Sequence, residues 1–168
     1  MGGRTPEIFW RDNDNDVKKL EDRVRKRLGE ASGATRNAFI SFASDDLQDV
    51  NLLRGQAKNE NSDIDFNDWS VKKPFDSEDA EYIRRGIRER IRRCSVTIVY
   101  LSGQTAASKW VAWEIEESIA MGKGVVAMYK GGSPPTLLPE AIGKHNIPVV
   151  PWNQRQLAQA VEREAGGR

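Results

Sequence analysis

Histidine and cysteine are nearly missing from this chain: 168 residues hold one of each, His145 and Cys94. A lone cysteine excludes an internal disulfide framework and a cysteine-only metal cluster. A lone histidine leaves a His-pair zinc site or a histidine relay without partners. Long apolar runs are missing too; none approaches the roughly 20 residues that span a bilayer. The first residues, Met1 to Pro6, lack the apolar core of a signal peptide, so the expected setting is reduced and cytoplasmic, with no membrane contact. A surplus of positive charge is also lacking. Lys plus Arg is 26 against 25 Asp plus Glu, a net charge of +1, which argues against a dedicated nucleic-acid binder. Any catalysis then falls mainly to carboxylates.

What is present is hydrophobic periodicity that changes from segment to segment. Residues 1–34 are a polar leader followed by Val17, Leu20, Val24 and Leu28 at helical spacing, an N-terminal accessory helix. Asn37 to Ser41 is a short buried strand, and Leu47 to Ala57 is compatible with a helix. Asp63 to Asn67 alternates as a half-exposed strand would, and Val71 to Asp76 is a loop. Ser77 opens a helix in which Ile83, Ile87 and Ile91 recur every fourth residue. Ser95 to Leu101 is β-branched and almost wholly apolar, as suits a parallel strand covered on both faces. Ala106 to Met121 is a helix with Val111, Ile115 and Ile119 as its spine. Strands over Gly124 to Tyr129 and Ile147 to Val150 follow, then a helix over Gln154 to Glu164.

Such alternation predicts an α/β fold: a flavodoxin-like three-layer sandwich with a five-stranded parallel sheet. Ligands of doubly wound folds bind at the carboxyl ends of the strands. That rule gathers Ser41 to Asp46, Asn67 to Ser70 and Leu101 to Thr105 around one site, including Asp45 and Trp69.

Several residues invite a chemical reading. Trp110, Glu114 and Ser118 stand four residues apart, beside the buried spine of their helix. A carboxylate next to an indole can hold a sugar while the ring covers a base; the plain alternative is a solvated glutamate. Asp45 and Asp46 resemble a phospho-receiver's acidic pair, but Tyr100-Leu-Ser-Gly103 offers no phosphorylatable aspartate, and helix capping is the simpler role. Asp12, Asp14 and Asp16 begin like a calcium loop, yet Val17 and Arg23 stand where Gly and Glu are needed. Gly122-Lys-Gly124 lacks the spacing of a phosphate loop and suits a helix end. Cys94 suits a small buried hydrophobe, His145 a surface residue, and the arginines from Arg84 to Arg93 a solvated helix face.

Four segments in order carry a family resemblance. Ala38-Phe-Ile-Ser-Phe-Ala-Ser-Asp-Asp46 resembles the first strand and loop of TIR domains. Ser108-Lys-Trp-Val-Ala-Trp-Glu-Ile115 resembles their signature helix, with a Trp four residues before a Glu. Ile87 to Ser102 is similar to the helix leading into the central strand, and Gly122 to Ala127 to the strand after it. The nearest branch is the prokaryotic TIR-like group of Thoeris-type antiphage defence, and the domain would occupy residues 35–168. The resemblance implies cleavage of the nicotinamide–ribose bond of NAD, which is a substrate and not a cofactor, with no metal. It implies Glu114 as the catalytic residue, with Ser41, Phe42, Ser44, Ser102 and Trp110 around the substrate. It also implies a separate effector protein and self-association through TIR contacts. One departure is that Asn67 to Pro74 replaces the Pro-Gly loop of animal adaptor TIR domains, so assembly through that loop does not carry over.

Three functions follow as rivals. The first is an NAD glycohydrolase or cyclase making a signalling nucleotide. The second is a non-catalytic TIR interaction module. The third is a domain that senses NAD or a derived nucleotide without cleaving it. Intact recovery of bound ligand separates the third from the first, and assembly without turnover marks the second.

Overall fold

Among the described residues, strands and helices alternate strictly. The structure, a computed structural model, describes residues 36–59, 62–64, 66–68 and 80–167. The expected N-terminal helix, Trp69 and the expected loop at Val71 to Asp76 lie outside the described residues. The strands are β1 (Arg36–Ser41), β2 (Phe66–Asp68), β3 (Val96–Leu101), β4 (Gly124–Tyr129) and β5 (Val149–Pro151). The helices are α1 (Leu47–Lys58), α2 (Ala80–Arg92), α3 (Lys109–Ala120), α4 (Glu140–Lys144) and α5 (Gln154–Gly166). One-turn 3-10 helices at Ser44–Asp46 and Thr105–Ala107 lead into α1 and α3. All neighbouring strands pair in parallel, in the order β2-β1-β3-β4-β5.

This is the expected five-stranded sandwich. On one face α1 and α5 bury Val50, Leu53, Leu157 and Ala160 against Ala38 and Ile40 of β1, Ile98 of β3 and Met128 of β4. On the other, α2 packs Ile83, Ile87 and Ile91 over Phe39, while α3 and α4 cover Val99, Leu101, Val125 and Ala127. Every residue of β3 is buried, as its unbroken apolar run requires of a central strand. Cys94 lies inside the α2 layer, and burial pushes its thiol up to about 12, so it packs as a hydrophobe. Among the described residues no helix is long and apolar enough to cross a membrane.

The differences from expectation have local causes. β2 starts at Phe66 because the Ser62 hydroxyl accepts the Ile64 N–H at 3.1 Å, drawing that segment into a turn. α3 starts at Lys109 because the Ser108 side chain accepts the Val111 N–H at 3.3 Å. α4 was not foreseen; five residues are too few to show a period. β5 starts late because the Ile147 N–H bonds the Ile142 carbonyl at 2.9 Å and closes the end of α4.

The Gly122-Lys-Gly124 segment serves two packing needs. Gly122 takes φ +70 and lets Lys123 N–H reach the Ser118 carbonyl at 2.9 Å, closing α3. Gly124 lets α5 approach β4; a Cβ there would lie 2.2 Å from the Glu164 carbonyl oxygen. Gly124→Ala is therefore expected to destabilise the domain by about 1–3 kcal/mol. A urea midpoint unchanged from wild type would contradict this reading of the approach.

Candidate functional site

The strand order creates one reversal. The chain steps outward from β1 to β2, then crosses back to place β3 on the other side of β1. The carboxyl ends of β1 and β3 therefore flank the switch point at which ligands of open α/β sheets bind. Ser41 ends β1, and Ser102 follows β3 directly.

Alternation along β1 sorts its last residues. Phe39 and Ser41 face α2 and α3, while Ala38, Ile40 and Phe42 face α1 and α5. Ser41 is wholly buried, and its hydroxyl donates to the Glu114 carboxyl across the gap to α3. Glu114 is only 9% exposed, so the alternative of a solvated glutamate is overturned. The buried stripe of α3 is wider than its aliphatic spine: Val111, Glu114, Ile115 and Ser118 all point inward. Burial pushes the Glu114 carboxyl up to about 7, and the Ser41 hydrogen bond opposes that rise.

The loops around Ser102 and Asp46 are tied together. The Ser102 hydroxyl donates to Asp46 at 2.7 Å, and its N–H donates to the Thr105 hydroxyl at 2.7 Å. Asp46 therefore links two strand ends, where simple capping of α1 was the expectation; its side chain makes no cap hydrogen bond. Burial raises the Asp46 carboxyl, while the bond from Ser102 lowers it. Asp49 accepts the Tyr100 hydroxyl and the Lys130 ammonium, each at 2.8 Å, which holds its carboxyl below the ordinary range. These bonds tie α1 to the ends of β3 and β4.

The remaining expected residues spread outward. Phe42 is half-buried against the α1–α5 core, with the Arg54 guanidinium 5.6 Å from its ring centre. Ser44 and Asp45 are exposed on the 3-10 turn. Trp110 is 39% exposed and stacks edge-on to Trp113, with Arg84 lying 5.8 Å from its ring centre. Part of the supposed solvated arginine face is thus an arginine–tryptophan stack. His145 is half-buried and bonds Glu116 at 3.0 Å. The structure joins Ser41 to Glu114 and Ser102 to Asp46; it turns Phe42 to the other sheet face and Trp110 toward α2.

The family model described as Thoeris protein ThsB, TIR-like domain, matches residues 39–134. The chain belongs to that family.

Comparison with curated proteins gives no match. Among solved structures, the TIR domain of the Toll-related receptor TRR-2 from Hydra magnipapillata is 15% identical, with 77% of this chain and 94% of that one covered and a TM-score of 0.50. The CMP N-glycosidase BcmB of Clostridium botulinum is 14% identical over 76% of this chain and 98% of that one, at a TM-score of 0.48. The TIR domains of the activated Roq1 resistosome are 13% identical over 77% and 71%, at 0.46. At such identities the Hydra likeness speaks for the fold alone.

In this ThsB-type TIR domain, sequence reasoning missed Asp49, Tyr100 and Lys130 as a unit. The signal was a single phenol in the otherwise aliphatic run of β3, since a buried tyrosine hydroxyl seeks a partner.

The Glu114 carboxyl makes stability depend on pH. An ordinary glutamate titrates near 4.5 and this one near 7, so between those values the folded chain holds a proton that the unfolded chain has lost. Stability therefore falls as pH rises through that window and levels off above it. Glu114→Gln mimics the protonated form. It is expected to be more stable than wild type by about 3 kcal/mol at pH 8 and equal to it near pH 4. Urea titrations at the two pH values check this; an equal difference at both would mean that the carboxyl titrates normally.

Proposed function

We propose that this TIR-like domain cleaves the nicotinamide–ribose bond of NAD, with Glu114 as its catalytic carboxylate. One observation carries the reading: an ionisable carboxyl, almost wholly buried, meets a hydroxyl donor at the switch point of the sheet. A carboxylate oxygen that accepts O–H from Ser41 is suited to accept O–H from a ribose in the same way.

The chemistry asks little else of the protein. The bond from C1′ of the ribose to the nicotinamide nitrogen breaks, and the electron pair leaves with nicotinamide as a neutral base. Positive charge develops on the sugar, as in glycoside hydrolysis, and a nearby carboxylate stabilises it. Water then adds to C1′, releasing a proton and giving ADP-ribose; an internal nucleophile would give a cyclic product. A chain with one histidine and one cysteine suits such a reaction. In Thoeris-type defence the product would act as a signal on a separate effector protein.

The ionised form of Glu114 is the useful one, since only it opposes positive charge. Below about 7 the carboxyl is mostly protonated, so kcat/KM is expected to fall toward acid pH with a midpoint close to that value. The direct test incubates the purified protein with NAD and follows nicotinamide release. Glu114→Gln is expected to lower kcat by about 10²–10³-fold. An undiminished rate in that variant would remove Glu114 from the mechanism.

A further inference from the structure

Helix α3 lies on the sheet through an apolar spine, and apolar contact is non-directional. Val111 and Ile115 set which face of the helix meets the strands, and directional contacts refine its height. Two polar rungs cross the same interface. The upper rung is Ser41 to Glu114. The lower rung joins Thr97 of β3 to Ser118 of α3, hydroxyl to hydroxyl at 2.7 Å, with both residues wholly buried.

The direction of the lower rung follows from proton counting. The Ser118 hydroxyl donates to the Glu114 carbonyl at 2.8 Å, and a carbonyl can only accept. The single proton of Ser118 is then used, so Thr97 must be the donor in the 2.7 Å contact. The chain of donation runs from Thr97 to Ser118 to the backbone of Glu114 itself. Each hydroxyl proton has an acceptor, which is what makes two hydroxyls tolerable in this core.

The spacing fits as well. Glu114 and Ser118 are one turn apart, about 6 Å along a helix. On the strands, Ser41 pairs with Val99, two residues beyond Thr97, or about 6.6 Å. The helix runs antiparallel to the strands, so both rungs close at one height of α3 and break together at any other.

We propose that Thr97 and Ser118 are positioning residues, setting the height of α3 on the sheet and so holding the Glu114 carboxyl at the end of β1. Their importance to turnover rests on the reading of Glu114 as the catalytic carboxylate; their hold on its position does not.

Thr97→Val and Thr97→Ser separate shape from hydrogen bonding. The first keeps the branched side chain and loses the hydroxyl; the second keeps the hydroxyl and loses a methyl. Carbon-13 NMR of glutamate-labelled protein follows the Glu114 carboxyl, identified by its absence in Glu114→Gln. In Thr97→Val, water gains access beside a loosened helix, and the carboxyl is expected to titrate lower by about one pH unit or more. The kcat for nicotinamide release is expected to fall about tenfold or more, with KM within about threefold. Thr97→Ser is expected to recover most of both losses. Ser118→Ala, which leaves the Thr97 proton without an acceptor, is expected to act like Thr97→Val. Unchanged titration in Thr97→Val, or equal impairment in Thr97→Ser, would overturn the proposal. Should the wild type release no nicotinamide, the proposed reaction fails, and the carboxyl titration alone decides whether this rung positions Glu114.

Discussion

A carboxyl group held almost wholly buried between a helix and a sheet is the constraint around which this domain is arranged. Three other acids here find cations. Asp68 meets Arg54 at 2.6 Å, Asp49 meets Lys130, and Glu116 meets Lys144. Glu114 meets a serine hydroxyl instead. A hydroxyl steadies the ionised form without neutralising it, so the group keeps both protonation states within reach near neutral pH. A cation in place of Ser41 would lock the carboxylate ionised and neutralise its charge.

The strand order explains why this arrangement arises at the end of β1. A strand that starts the sheet and then becomes internal has its carboxyl end flanked by loops running to opposite faces. Residues just past the hydrogen-bonded ladder have backbone groups to satisfy and no neighbouring strand to satisfy them. Thr105 and Ser102 meet that need with side chains, Asp46 in turn accepts the Ser102 hydroxyl, and so polar groups accumulate where a polar ligand would enter.

Much of this was readable from the chain, because long-range order here follows local period. The aliphatic run of β3, the four-residue spacing of Ile83, Ile87 and Ile91, and Gly122 and Gly124 at the entry to β4 each have one good structural solution. Five-residue α4 fell below what periodicity can show, and the exact limits of β2 and α4 depend on hydrogen bonds that no period reveals, Ile64 N–H to the Ser62 hydroxyl and Ile147 N–H to the Ile142 carbonyl. Within the site, Ser41 was legible from the strand-end rule and Glu114 from its stripe on the helix, but a catalytic role for Glu114 came only with the motif resemblance. Helical spacing put Glu114 beside the spine but could not say that the buried stripe was broad enough to include it. The Thr97–Ser118 rung was hidden for a similar reason: a threonine in a strand and a serine in a helix are ordinary until register makes them partners.

The rims of the sheet have a consequence of their own. Both outer strands, β2 and β5, are three residues long, while β1, β3 and β4 between them have six each. β5 ends on Pro151, which has no backbone N–H to offer. A foreign strand laid along either rim would find only a few unpaired backbone groups, too few to hold it. Recruitment by sheet extension, the route by which many β-rich modules join or misassemble, is therefore disfavoured at the described rims of this domain. The helices and loops outside the sheet carry side chains that can be altered without disturbing the ladder beneath.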